Sequence, residues 1–85
     1  MEKLRITHIV LDVLKAHQPP LPEFASFVGE LPGIKRVDVS VVEMDEKTES
    51  LRITIDGVNI DYEELRSHMA EQGAVIHSVD QVVVE

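Results

Sequence analysis

The chain has 85 residues, a formal net charge of −8 and no cysteine. That length holds one small domain. The missing thiols exclude a disulfide scaffold, a thiolate zinc site, an iron–sulfur cluster and a cysteine nucleophile, and the negative charge argues against a phosphate-backbone binder. Hydrophobic residues make up 44% and charged residues 28%, the proportions of a folded globular chain. No apolar run approaches the ~20 residues of a membrane helix. The segment MEKLRITHIVLDV is broken by His8 and Asp12 and does not read as a secretion signal. The expectation is a cytoplasmic protein without membrane or nucleic-acid partners.

Charge is unevenly distributed. Residues 1–42 carry five acids and five bases, whereas residues 43–85 carry eleven acids and three bases. No linker or repeat separates the halves, so they form one domain with an acidic region. Such a field attracts cations or basic partners; the plainer reading is a solvated surface that keeps a small protein soluble.

Residues 4–14 are β-rich and apolar and predict a first strand. HQPPLP breaks it. Leu21, Phe24, Phe27 or Val28, and Leu31 recur at helical spacing until Pro32-Gly33. Residues 34–44 alternate, with Val37, Val39 and Val41 on one face. Asp45–Ser50 reads as a hairpin turn, and Leu51, Ile53 and Ile55 alternate in a third strand. Asp61 with Glu64 has capping-box spacing, and Ile60 with Leu65 forms a hydrophobic staple at the start of a second helix that ends at Gly73. AVIHSVDQVVV reads as a last strand, interrupted near Asp80.

The order β-α-β-β-α-β predicts an α+β, ferredoxin-like fold. Its four-stranded antiparallel sheet has the order 4-1-3-2, with both helices on one face. The other face of such a sheet is polar in a monomer. Strand 1 departs from that rule: Ile9, Leu11 and Val13 make one apolar row, while Ile6, Val10 and Leu14 lie on the other side among His8 and Asp12. Val42 and Met44 add to the polar side of strand 2. A chain this small buries only ~60–65% of its unfolded surface alone, so a second copy covering this flank would add stability. The alternative is a modest apolar patch of the kind monomers tolerate.

The segments IVLDVLKAHQP at 9–19, VSVVEMDEKTESLRITIDGVNIDYEEL at 39–65 and GAVIHSVDQVV at 73–83 resemble a small archaeal family named only as domain of unknown function 211. VLDVLK, the ExDxxTE turn and the IHSxD ending are the specific parts. The matching positions are Asp12, Lys15, His17, Glu43, Asp45, Thr48, Glu49, Asp61, His77, Ser78 and Asp80. The resemblance implies a compact ferredoxin-like domain that assembles into symmetric homo-oligomers such as rings, and it carries no established reaction.

His77, Ser78 and Asp80 suggest a hydrolase triad, but successive strand residues point to opposite faces and no glycine-rich elbow exposes the serine. His77 reads better as a strand residue hydrogen-bonded at an interface, with Asp80 in a turn or bulge. Asp12 sits in an apolar strand, where a buried carboxylate must be paired, hydrogen-bonded or protonated. With strands 1 and 3 taken as parallel neighbours, Asp12, Asp38 and Asp56 would gather at one end of the sheet and could hold a hard cation such as calcium or magnesium. Neutralisation by Arg36, or a solvated rim, is the stronger reading. Glu43, Asp45, Glu46 and Glu49 around the hairpin turn form a second cation candidate without the DxDxDG loop of an EF-hand.

His8 and His77, on adjacent strands, are the imidazole pair best placed to meet, whereas His68 is expected on the exposed side of helix 2. Lys15 and His17 precede the prolines in an accessible loop that suits a small anion. No P-loop or GxGxxG occurs, and strands 1 and 3 lack the aromatics of an RNA-recognition surface, although that motif shares this topology. No cofactor is certain.

The sequence therefore favours a non-enzymatic homo-oligomer that binds a metal ion or small ligand, or regulates, through sites near subunit interfaces. One rival is a small enzyme with an intersubunit pocket using Asp12 and His77 as acid and base; its discriminating feature is whether those side chains converge. The other is a structural partner for a basic protein.

Overall fold

The computed structural model describes residues 3–85. The elements in chain order are β1 (Ile6–Ala16), α1 (Leu21–Val28), β2 (Ile34–Met44), β3 (Thr48–Gly57), α2 (Tyr62–Ala70) and β4 (Val75–Val84). The strands form one antiparallel sheet in the order β2-β3-β1-β4, the expected 4-1-3-2 read from its other edge. The alternation over 34–44 coincides with β2.

β1 and β3 are antiparallel, against the parallel pairing expected from the sequence. The connectivity requires this. The α1 crossover sets β2 in the same direction as β1, and the hairpin then reverses β3 between them. The register places Asp12 opposite Arg52, and His8 opposite Asp56.

α1 stops at Val28, short of the expected Leu31. Pro32 lacks a backbone donor and disfavours helical geometry in the residue before it. The chain then turns through Gly33, with φ of 84°, whose carbonyl accepts the Val58 amide at 2.8 Å. Gly57 packs against this carbonyl so closely that a Cβ there would collide with it. α2 begins as its sequence predicts: Asp61 accepts the Glu64 amide at 3.1 Å, and Ile60 and Leu65 are both buried.

Ile9, Leu11 and Val13 of β1 and Leu51, Ile53 and Ile55 of β3 face the helices, where they meet Phe24, Val28, Leu65 and Met69. His68 is half-buried rather than on the exposed side of α2. Its ring stacks on Phe27 at 3.8 Å between centroids, and its Nε2 donates to the Phe27 carbonyl at 2.6 Å, tying the two helices together.

The open face is less apolar than strand 1 suggests. A register shift between Ile6 and His8 turns Ile6 toward the core. Val10 is only 6% exposed, so Leu14, at 43%, is the exposed apolar residue of β1. Exposed hydrophobics instead concentrate on the sheet edges: Val75, Val79, Val82 and Val84 on β4, and Val41, Val42 and Met44 on β2. β4 also carries two residues without partners on β1, His77 and Asp80, at successive register shifts. They leave Gln81–Val84 as its longest run of residues that all have partners on β1, with the register regular from Gln81 to Val83.

Candidate functional site

Two polar clusters stand out, one at each end of β1. At the end nearer the hairpin, Lys15 continues the row of Ile9, Leu11 and Val13 and so faces the helices, because strand side chains alternate. It is 1% exposed and Glu49 6%. Lys15 Nζ donates to Glu49 Oε1 at 3.1 Å and to the Ala16 carbonyl at 2.9 Å, and it lies 5.6 Å from the centre of the Phe24 ring. His17 Nδ1 is 3.7 Å from the second Glu49 oxygen, and its Nε2 donates to the carbonyls of Asp45 and Glu46, each at 3.0 Å. The cluster closes the end of the core and ties the β1–α1 loop to the hairpin. Lys15 is therefore a buried strand residue, not the accessible loop cation expected for anion binding. Glu49, expected among the turn carboxylates, is committed to Lys15.

At the other end, four side chains cross the open face in one row. Gln81 of β4 meets His8 of β1, with its Oε1 3.0 Å from Nε2; His8 meets Asp56 of β3, Nδ1 to Oδ1 at 2.6 Å. Arg36 of β2 reaches the second Asp56 oxygen at 3.8 Å and Asp38 at 3.4 Å. The hydrogen bond His8 donates to Asp56 holds its pKa above the ordinary value, with Gln81 and the Asp56 charge adding to the effect and desolvation opposing it. The expected neutralisation of Asp38 and Asp56 by Arg36 is present in this row.

The remaining candidates are dispersed. Asp12 lies on the open face opposite Arg52 and Ser78, half-buried, and makes no hydrogen bond or ion pair with them among the described residues. Water reaches it there, so it does not need the partner that full burial would demand. It stands four residues along β1 from the His8–Asp56 row, so Asp12, Asp38 and Asp56 do not share one strand end. Among the described residues, no group of three or more histidine, aspartate or glutamate side chains is gathered closely enough to hold a metal ion.

His77 is exposed at a register shift, and His8 pairs with Val83, well away from it, so these two imidazoles are not neighbours. The Ser78 hydroxyl donates to Asp80 at 2.8 Å, and no hydrogen bond joins either to His77 among the described residues. Asp80 occupies the expected bulge. A surface depression of about 440 Å³ lies between α1 and β2 over Val37 and Val39, and brings only Arg36 and Asp38 as charged groups.

Reasoning from sequence missed the Lys15–Glu49 pair and the His8–Asp56 pair. The odd-numbered row 9, 11, 13, 15 was the available signal for the first. The second needs the antiparallel register of β1 and β3.

Residues 7–85 match the family model of domain of unknown function 211, described as an uncharacterized ArCR. The chain belongs to this family. It is also 40% identical over 78 residues to an uncharacterized protein of Methanocaldococcus jannaschii, an alignment that covers 92% of this chain and 80% of that protein. Neither description names a ligand or a reaction, so this family member is read from its own surface.

Proposed function

We propose that this chain is a non-enzymatic homo-oligomeric module whose copies join through their sheet edges, with sites for a cation or small ligand where copies meet. The observation that carries the reading is the edge strand β4. It presents Val75, Val79, Val82 and Val84, each between 41% and 64% exposed, beside an unpaired row of backbone donors and acceptors. An apolar edge of this length invites pairing with another strand. Val79 and Val82 lie opposite Leu11 and Ile9 in register, on the helix side, yet the helices leave them uncovered. A neighbouring copy would supply that cover.

The dispersal of Asp12, His77 and Ser78 favours a binding or assembly role over acid–base catalysis, which needs convergent groups. Because the carboxylates of one chain are scattered, calcium or magnesium sites belong between copies in this reading, with the exposed Glu43, Asp45 and Glu46 of the hairpin as donors. The setting is the cytoplasm; a chain without cysteine needs no oxidising compartment to fold.

Sedimentation velocity at micromolar concentration tests the reading. The native chain should sediment as a discrete oligomer, and Val79→Lys with Val82→Lys should dissociate it while leaving the folded circular dichroism spectrum unchanged. A native chain that sediments as a monomer overturns the proposal.

A further inference from the structure

We propose that the Gln81–His8–Asp56 row is a proton-dependent clasp on β4, so that assembly through this edge is strongest when His8 is protonated. The proposal rests on the assembly reading above and adds its regulation.

The geometry supplies the argument. Both ring nitrogens of His8 face oxygen acceptors, the Asp56 carboxylate at 2.6 Å and the Gln81 side-chain oxygen at 3.0 Å. A neutral imidazole has one N–H and can satisfy only one of them, whereas an imidazolium donates to both. The protonated ring thus bridges β3 to β4 across β1. On losing its proton, His8 keeps its donor for the charged Asp56, and Gln81 is left facing an unprotonated nitrogen. The bond released is the one of the two that reaches β4.

Its place on β4 makes that bond consequential. Gln81 opens the fully partnered run Gln81–Val84, just past the unmatched Asp80. That stretch carries exposed Val82 and Val84, two of the apolar side chains offered to a neighbour. Releasing Gln81 frees the strand where its ladder is already interrupted and lowers the fraction of chains that present an ordered edge.

The carboxylates around His8 favour its protonated form, and the Arg36 guanidinium opposes it. β3 brings Asp56 beside the ring. β2 brings Arg36, which touches the far Asp56 oxygen, and Asp38, which partly neutralises Arg36. β4 adds Glu85 at its end, where Thr7 holds the carboxylate at 2.6 Å. His8 lies on the open face, away from both helices. The sign follows from linkage: a group whose pKa rises on folding contributes its full stabilisation below the unfolded value, and that contribution is lost as pH rises through the folded value. The clasp is closed in mildly acidic solution and opens toward alkaline pH.

The test uses the native chain alongside Val79→Lys with Val82→Lys as a single-copy form. His8 ring resonances should titrate above the unfolded value in both. Amide exchange of residues 81–84, corrected for intrinsic rates, should speed up from pH 6 to pH 9 by about tenfold for each unit by which Gln81 raises the His8 pKa, read as the difference in His8 titration between the native chain and Gln81→Ala. Gln81→Ala and His8→Gln should abolish that pH dependence, and the first leaves the Asp56 pair intact if the second fails to fold. The native association constant should fall over the same interval, and in Gln81→Ala it should not. Corrected exchange that is equal at the two pH values overturns the clasp, because Gln81 would then have turned its amide to donate to the neutral ring. A clasp that responds in a native chain monomeric at both pH values overturns the assembly reading and the coupling with it.

Discussion

Replacing Glu49 with alanine should be among the most damaging single changes in this chain. The Lys15 ammonium is 1% exposed, and Glu49 is its only anionic partner within ion-pair distance among the described residues. Removing that partner leaves a buried charge, a loss that typically costs about 3–5 kcal/mol. The Ala16 carbonyl at 2.9 Å and the His17 carbonyl at 3.5 Å stay in place, which sets the expectation at the lower end, about 3 kcal/mol. For a domain of this size that is a fall in Tm of roughly 12–24 °C.

The double change Lys15→Met with Glu49→Leu removes both charges and fills similar volume. It should return to within about 1 kcal/mol of the native chain. Thermal melts followed by circular dichroism, at one fixed protein concentration because the proposed assembly would make Tm concentration-dependent, read both variants. A Glu49→Ala melt within about 4 °C of native, or a double variant no better than the single one, would refute the buried-charge argument.

Gly57→Ala should cost about 1–3 kcal/mol in urea unfolding, since its methyl group meets the Gly33 carbonyl and the backbone must shift; an unchanged midpoint would show that the two loops have slack. His68→Ala should cost about 1–3 kcal/mol through the lost stack and hydrogen bond, and His68→Phe should recover only the stacking part. Equal stability of the two variants would assign the whole effect to the hydrogen bond. Under the proposed function, millimolar magnesium or calcium should raise the Tm of the native chain, and Asp45→Asn should reduce that rise; a melting curve indifferent to both cations removes them from the proposed function.

Much of the fold is legible because its signals are local. Alternation marks β2 to its end residues, and the Asp61–Glu64 spacing marks the start of α2. The polar clusters are not local. Lys15 meets Glu49 across 34 positions of sequence, and His8 meets Asp56 across 48. Both depend on strand direction, and taking β1 and β3 as parallel moved Asp56 to the wrong end of the sheet. Ile6 shows the same limit on a smaller scale. By simple alternation it belongs to the open face, but the register shift before His8 returns it to the core. Val10 reads as an apolar residue in need of a partner copy, yet it is already buried within the single chain.

The unmatched residues of β4 carry a consequence for growth. Each one kinks the outermost strand and sharpens its coil. An incoming chain can follow such an edge only between kinks, here for the four positions from Gln81 to Val84. So short a seam gives little purchase for endless stacking into fibrils, and it leaves the same edge room to close small, finite particles.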